Sequence, residues 1–185
     1  LLIIPSVKKE TNMWLKKLDI PYKVDVRTSG DYYRIIWIPY KNNIEIEAQH
    51  IGLGYPMLLP LVIQAIVSRD KIIIAEEPEV HLHPKLQGDI MDLLLFSAKE
   101  NGNQLIVETH SENMLLRAQK CIRKGHTELN PNKAKIKVTN EDLGINNVFR
   151  ENNTSSIQKI KIDNQGEFRT HWRDGFFSER LDDLF

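Results

Sequence analysis

The chain has 185 residues and carries 25 basic against 25 acidic side chains, so no bulk field steers it toward nucleic acid or a membrane surface. No apolar run nears the roughly 20 residues of a membrane span. The one cysteine, Cys121, excludes an intrachain disulfide and reads as core filler on a helix, which makes a cytoplasmic compartment the simplest expectation. Leu1-Leu2-Ile3-Ile4 lacks the basic start and small-residue cleavage site of a signal peptide, and the absence of an initial Met points to a fragment or a processed piece.

Residues 1–20 read as a strand end, a break at Pro5-Ser6, then a helix with Trp14, Leu15 and Leu18 on one face. Residues 21–48 change period. Tyr22, Val24 and Val26 alternate with polar residues, and turn signals at Ser29-Gly30-Asp31 and Lys41-Asn42-Asn43 divide an antiparallel meander. Residues 49–56 form a loop holding Gly52 and Gly54 ahead of a strongly apolar helix that runs through about Val67. Such a pair is either a plain turn or a place where backbone approaches a phosphate at a helix N-terminus.

Residues 71–76 read as a buried parallel strand ending in acid, and Pro84 suits the first turn of the helix that follows. That helix runs to about Glu100, where Asn101-Gly102 stops it; strand 104–108 and helix 111–123 come next. Strand-helix-strand-helix alternation predicts a parallel sheet with right-handed crossovers. Arg117, Lys120, Arg123, Lys124, Lys133, Lys135 and Lys137 face a lone Glu128, as a binding patch or a solvated surface. Residues 146–150, 157–162 and 167–170 are strand-like around the turn signal Asp163-Asn164-Gln165-Gly166, and three aromatics in residues 172–177 suggest a terminal clasp. The predicted division is 1–48 (helix and meander), 49–135 (an α/β lobe) and 136–185 (a small β appendage).

The chemistry gathers at two strand exits. Ligands of open α/β sheets bind at the carboxyl ends of the strands, where Glu76, Glu77 and His110 arrive. One carboxylate of such a pair can hold Mg²⁺ through water while the next orients an attacking water. Adjacent strand residues point to opposite faces, so this requires the strand to finish near Glu76 and turn at Pro78. His110 either contacts a γ-phosphate or is a simple residue of the helix-capping region before Ser111. Glu79-x-His81-x-His83 invites a metal reading, although a site would need further ligands.

Taken together, Glu76-Glu77-Pro78-Glu79-x-His81-Leu82-His83-Pro84 and Thr109-His110-Ser111 resemble the C-terminal half of an ABC-type ATPase head. The class is the SMC, RecF and OLD-like one often grouped with AAA ATPases, and the resemblance covers residues 44–123. It implies an α/β fold: the C-terminal lobe of a P-loop ABC-type head, mainly parallel sheet with helices, with an antiparallel β meander and a small C-terminal β appendage. It implies ATP and Mg²⁺ as cofactors, hydrolysis in a head-to-head homodimer, Glu76 as the Walker B metal-side carboxylate, Glu77 as the catalytic glutamate and His110 as the switch histidine. Residues 81–84 would be the D-loop, and Gly52 and Gly54 the signature-like loop beside the nucleotide. Kinship further implies a nuclease or toxin effector in anti-phage defence, or DNA, as partners. The tail resembles the C-terminal domain of a bacterial ATPase family of unknown function.

Two departures qualify the expectation. No G-x-x-x-x-G-K-S/T occurs, so the phosphate-cradling loop must come from elsewhere and this chain alone should not hydrolyse ATP. Pro56 and Met57 stand where the family carries Ser and Gln, and Pro56 removes one N–H from the anion site. The alternatives are a degenerate scaffold that binds a partner protein without hydrolysis, and a metal nuclease using Glu76, Glu79, His81 and His83.

Overall fold

A computed structural model describes residues 1–130 and 135–173. By internal contacts the chain divides into two compact units, residues 1–117 with 127–136, and residues 118–126 with 137 onward.

The first unit opens with a turn, Ile4 N–H donating to Leu1 O at 2.9 Å, where the sequence suggests a strand end. Helix α1, Pro5–Lys17, follows, with Pro5 in its first turn. Trp14, Leu15 and Leu18 are buried as their spacing predicts, and Trp14 meets Phe96 edge-on at 5.1 Å. Strands β1 (Tyr22–Ser29) and β2 (Tyr32–Pro39) pair antiparallel around a two-residue turn with Gly30 at φ 57°, and β3 (Ile46–Glu47) adds to β2. Asn12 ties α1 to this meander, its carboxamide donating to Val24 O at 2.9 Å and accepting from Val24 N at 2.7 Å.

Helix α2, Gly54–Val67, begins two residues before Pro56. Pro56 fits there because a first-turn residue has no intrahelical use for its N–H. Strands β4 (Ile72–Glu76) and β5 (Gln104–Glu108) run parallel in register from Ile72 opposite Gln104 to Glu76 opposite Glu108. Helix α3, Pro84–Asn101, crosses between them and ends at Gly102, whose φ of 66° only glycine adopts without strain. Helix α4, Glu112–Lys124, follows β5.

One feature of the short parallel sheet is unusual. Ile73 is 9% exposed, but Ile72, Ile74 and Ile106 are 63%, 69% and 54% exposed. Parallel sheets are ordinarily covered on both faces, and among the described residues nothing covers the face of Ile72, Ile74 and Ile106.

In the second unit β6 (Ile145–Glu151) and β7 (Thr154–Ile160) form a hairpin turning on Asn152 and Asn153, both at positive φ, as a two-residue turn of that type requires. The second appendage strand therefore starts and ends earlier than the predicted 157–162. In place of a third strand, Phe168 makes an isolated bridge to Ile162. Trp172 is 9% exposed and packs edge-on against Phe168 at 5.2 Å. Phe176 and Phe177 lie outside the described residues.

Arg117 leaves the predicted basic patch. It turns inward to pair with Asp89, and with Asp92 at 2.8 Å, because both carboxylates are buried on α3. Asp92 also accepts from the backbone N–H groups of Glu128 (2.6 Å) and Leu129 (3.1 Å). Burial pushes the Asp92 carboxyl above the ordinary carboxylate range, partly offset by these N–H donors and the guanidinium. Lys133 falls outside the described residues.

Candidate functional site at the β4–β5 carboxyl edge

Two adjacent strand residues cannot serve one side while alternation lasts. The chain resolves this by leaving the strand at Glu76. Glu77 N–H makes one last ladder bond to Glu108 O at 2.9 Å, and Glu77 itself takes a left-handed φ of 43°. Two tight turns follow, Val80 N–H to Glu77 O and Leu82 N–H to Glu79 O, each 3.1 Å, with His81 at φ 62°. A left-handed non-glycine residue costs roughly 1–3 kcal/mol and tends to sit at functional sites. Glu76 and Glu77 both remain exposed at the strand end.

The second strand delivers His110 to the same place. Its Nε2 lies 3.7 Å from Glu77 Oε1, with the two side chains 76% and 48% exposed. Glu76 has Glu108 as its register partner, and both are exposed. Glu108 carries the same sequence signal as Glu76, since each ends an aliphatic run.

Gly52 and Gly54 differ from each other. Gly52 is exposed, and a Cβ there would meet nothing within 4 Å. Gly54 is buried, and a Cβ there would lie 2.6 Å from both His81 O and Leu82 Cδ2. The close backbone approach that Gly54 permits is therefore to the chain's own 81–82 loop.

The Glu79, His81 and His83 set does not converge. Glu79 is 5% exposed and faces inward; His83 caps α3 by accepting from Lys85 N at 3.3 Å; His81 is exposed. Among the described residues no group of three His, Cys, Asp or Glu side chains could hold a metal ion. The nuclease reading needed such a group. A cleft on the meander, lined by Arg27, Arg34, Glu45 and Glu47 among others, contains none of the site residues. Its charges pair with one another, Arg27 with Glu45 at 2.5 Å and Arg34 with Glu47 at 2.6 Å.

Residues 3–115, more than half of the chain, match the AAA ATPase domain family. The chain belongs to this family. Within it, this AAA ATPase domain is similar to the lipoprotein-releasing system ATP-binding protein LolD of Neorickettsia sennetsu, 34% identical over 33% of this chain and 27% of that protein. It is also similar to the endonuclease GajA of Bacillus cereus, 28% identical over 54% of this chain and 18% of GajA. The chain thus spans less than a third of these relatives. Two solved structures share the fold at a TM-score of 0.60 each. One, from work on ATP-driven dimerisation and DNA-stimulated activation of SMC ATPases, is 13% identical and covers 97% of this chain and 91% of that one. The other, an SMC head bound to the C-terminal winged-helix domain of ScpA, is 14% identical and covers 85% and 43%. The AAA ATPase domain accordingly has the α/β fold of an ABC-type P-loop NTPase head. Among its described residues no helix is long and apolar enough to cross a membrane.

Proposed function

We propose that this AAA ATPase domain is the C-terminal, hydrolysis-bearing lobe of a Mg²⁺-dependent ATPase head. The observation that carries the reading is the meeting of Glu77 and His110, 3.7 Å apart at the carboxyl ends of adjacent parallel strands. Hard carboxylate oxygens at Glu76, with Glu108 beside it, fit a cation that keeps most of its waters. Bound Mg²⁺ would neutralise developing charge on the phosphates of ATP. Glu77 accepts a proton or a hydrogen bond from the attacking water, and the exposed imidazole of His110 donates to the terminal phosphate. Gly52 lies at the mouth of α2 with no side chain to obstruct a nucleotide. Gly54 sets the angle at which α2 meets the 81–82 loop.

The phosphate-cradling loop comes from outside this chain, either from a preceding segment or from another polypeptide. Two observations support this: the sequence lacks the motif, and Ile72, Ile74 and Ile106 leave an aliphatic sheet face bare. A head-to-head homodimer completes the site. Residues 49–135 form its working lobe, and residues 1–48 and 136–185 are accessory. Work in the cytoplasm on DNA, or beside a nuclease or toxin effector in anti-phage defence, accords with relatives whose names are GajA endonuclease and DNA-stimulated SMC ATPase.

A second reading, a non-hydrolysing scaffold that binds a partner protein, is favoured by Pro56 and Met57 and by the use of Gly54 for internal packing. Reconstitution separates the two. The chain alone should show no ATP turnover, and addition of the polypeptide bearing the lysine-containing phosphate loop should restore it. A joined protein that neither binds nor hydrolyses ATP would establish the scaffold.

A further inference from the structure

Glu79 is the anomaly of the loop after β4. Its neighbours Glu76, Glu77, His81 and His83 are exposed, whereas Glu79 is 5% exposed. One carboxylate oxygen, Oε1, accepts from two donors on the other strand exit: Thr109 Oγ1 at 2.6 Å and His110 N at 2.8 Å. Thr109 Oγ1 in turn accepts from Ser111 N at 3.0 Å, which ties the 109–111 segment to this contact. The other oxygen, Oε2, is buried with no hydrogen-bond partner among the described residues. A buried polar atom without a partner costs stability, so the carboxylate does not serve the fold alone.

Gln87 of α3 holds the same two segments from a second point. Its Oε1 accepts from Ser111 Oγ at 2.9 Å and Asn113 Nδ2 at 3.0 Å, and its Nε2 donates to Leu82 O at 3.1 Å and Glu79 O at 3.4 Å. The His110 side chain is 76% exposed, with its Nε2 3.7 Å from Glu77 Oε1. Packing therefore does little to place the ring, and the position of its backbone decides where it stands.

We propose that Glu79 is a positioning residue: by holding Thr109 and the His110 amide it sets the distance between His110 and Glu77, with Gln87 as the second brace. This deepens the ATPase reading above and rests on it. The coupling runs both ways, since a change in the 77–83 loop moves His110 and a phosphate drawing on His110 moves the loop.

The test uses the complete protein that contains this chain, with Thr109→Val, Thr109→Ser, Glu79→Ala and Glu77→Gln variants. Thr109→Val keeps the shape and removes the hydroxyl, so it remains informative if Glu79→Ala fails to fold. Two readouts are taken: hydrogen exchange of the His110 amide, and kcat against KM for ATP. Glu79→Ala should speed exchange at His110 while Ile74 and Ile106 keep theirs. Glu79→Ala and Thr109→Val should lower kcat by about 10- to 100-fold through misplacement, with KM little changed, and Thr109→Ser should restore it. Unchanged His110 exchange in Glu79→Ala overturns the proposal. So does unchanged kcat in Glu79→Ala and Thr109→Val when Glu77→Gln abolishes turnover, a result that leaves the ATPase reading standing. Full turnover in Glu77→Gln overturns that reading and the positioning proposal with it.

Discussion

Asp25 of β1 accepts from Lys8 Nζ at 2.7 Å and Arg27 Nη1 at 2.8 Å, and the Lys8 contact chiefly lowers its carboxyl to about 2. A carboxylate depressed by folding contributes stability that is present above its ordinary value of 3.8 and is lost as pH falls toward about 2. Asp25→Asn should flatten acid unfolding between those pH values by about 1 kcal/mol after solvent screening, measured by denaturant melts at each pH. Asp92 has the opposite sign: a carboxyl raised by burial favours the fold below the ordinary range, and that share is lost as pH rises through its folded value. Its partner matters more than its titration. Arg117→Ala leaves the Asp89 and Asp92 carboxylates buried without their cation and should cost about 3–5 kcal/mol in a urea melt. Gly54→Ala forces a methyl against His81 O and Leu82, and about 1–3 kcal/mol of destabilisation is expected with the 81–82 loop displaced. These contacts were not legible in the sequence. Arg117 sits among six other basic residues, and nothing local distinguishes it, pairing inside, from the exposed Lys120, Arg123, Lys124, Lys135 and Lys137. Nor does the residue type of Glu77 announce a left-handed backbone; the need for two carboxylates on one side calls for a turn at Pro78, and the Glu77–Val80 turn holds Pro78 at its second position.

At the scale of elements the sequence was a better guide. The period of two in residues 22–38, the glycine at 30 and the Asn101-Gly102 stop all carry local chemistry, and β1, β2 and the end of α3 lie where those signals place them. The acidic strand and its partner were legible because an aliphatic run meeting a carboxylate is itself the physical signature of a strand exit. The elements that moved are those set by distant partners. The start of α2 at Gly54 depends on packing against the 81–82 loop, and the last appendage strand shrinks to a single bridge at Phe168. The run Ile72-Ile73-Ile74 reads as buried on both sides, yet only Ile73 is covered. If the bare face receives the rest of the head, Ile74→Lys should leave the melting of the isolated chain nearly unchanged, within about 0.5 kcal/mol. The same variant should weaken assembly with the remaining polypeptide, as read by co-elution. A strong loss of stability in the isolated chain would show that the face is already buried.

The molecule as a whole has the fold of an ATPase head and belongs to the AAA ATPase domain family. Glu77 and His110 meet at the strand exits, Glu108 joins Glu76 at the strand ends, and Glu79 with Gln87 ties one strand exit to the other. The most direct measurement is ATP turnover by the longest natural gene product containing this chain, beside its Glu77→Gln variant, with nucleotide binding followed in parallel. Turnover in the parent, lost in the variant while binding survives, is the expected result. Equal turnover in both would contradict the assignment of Glu77 and, with it, the reading of the β4–β5 edge as a hydrolytic site.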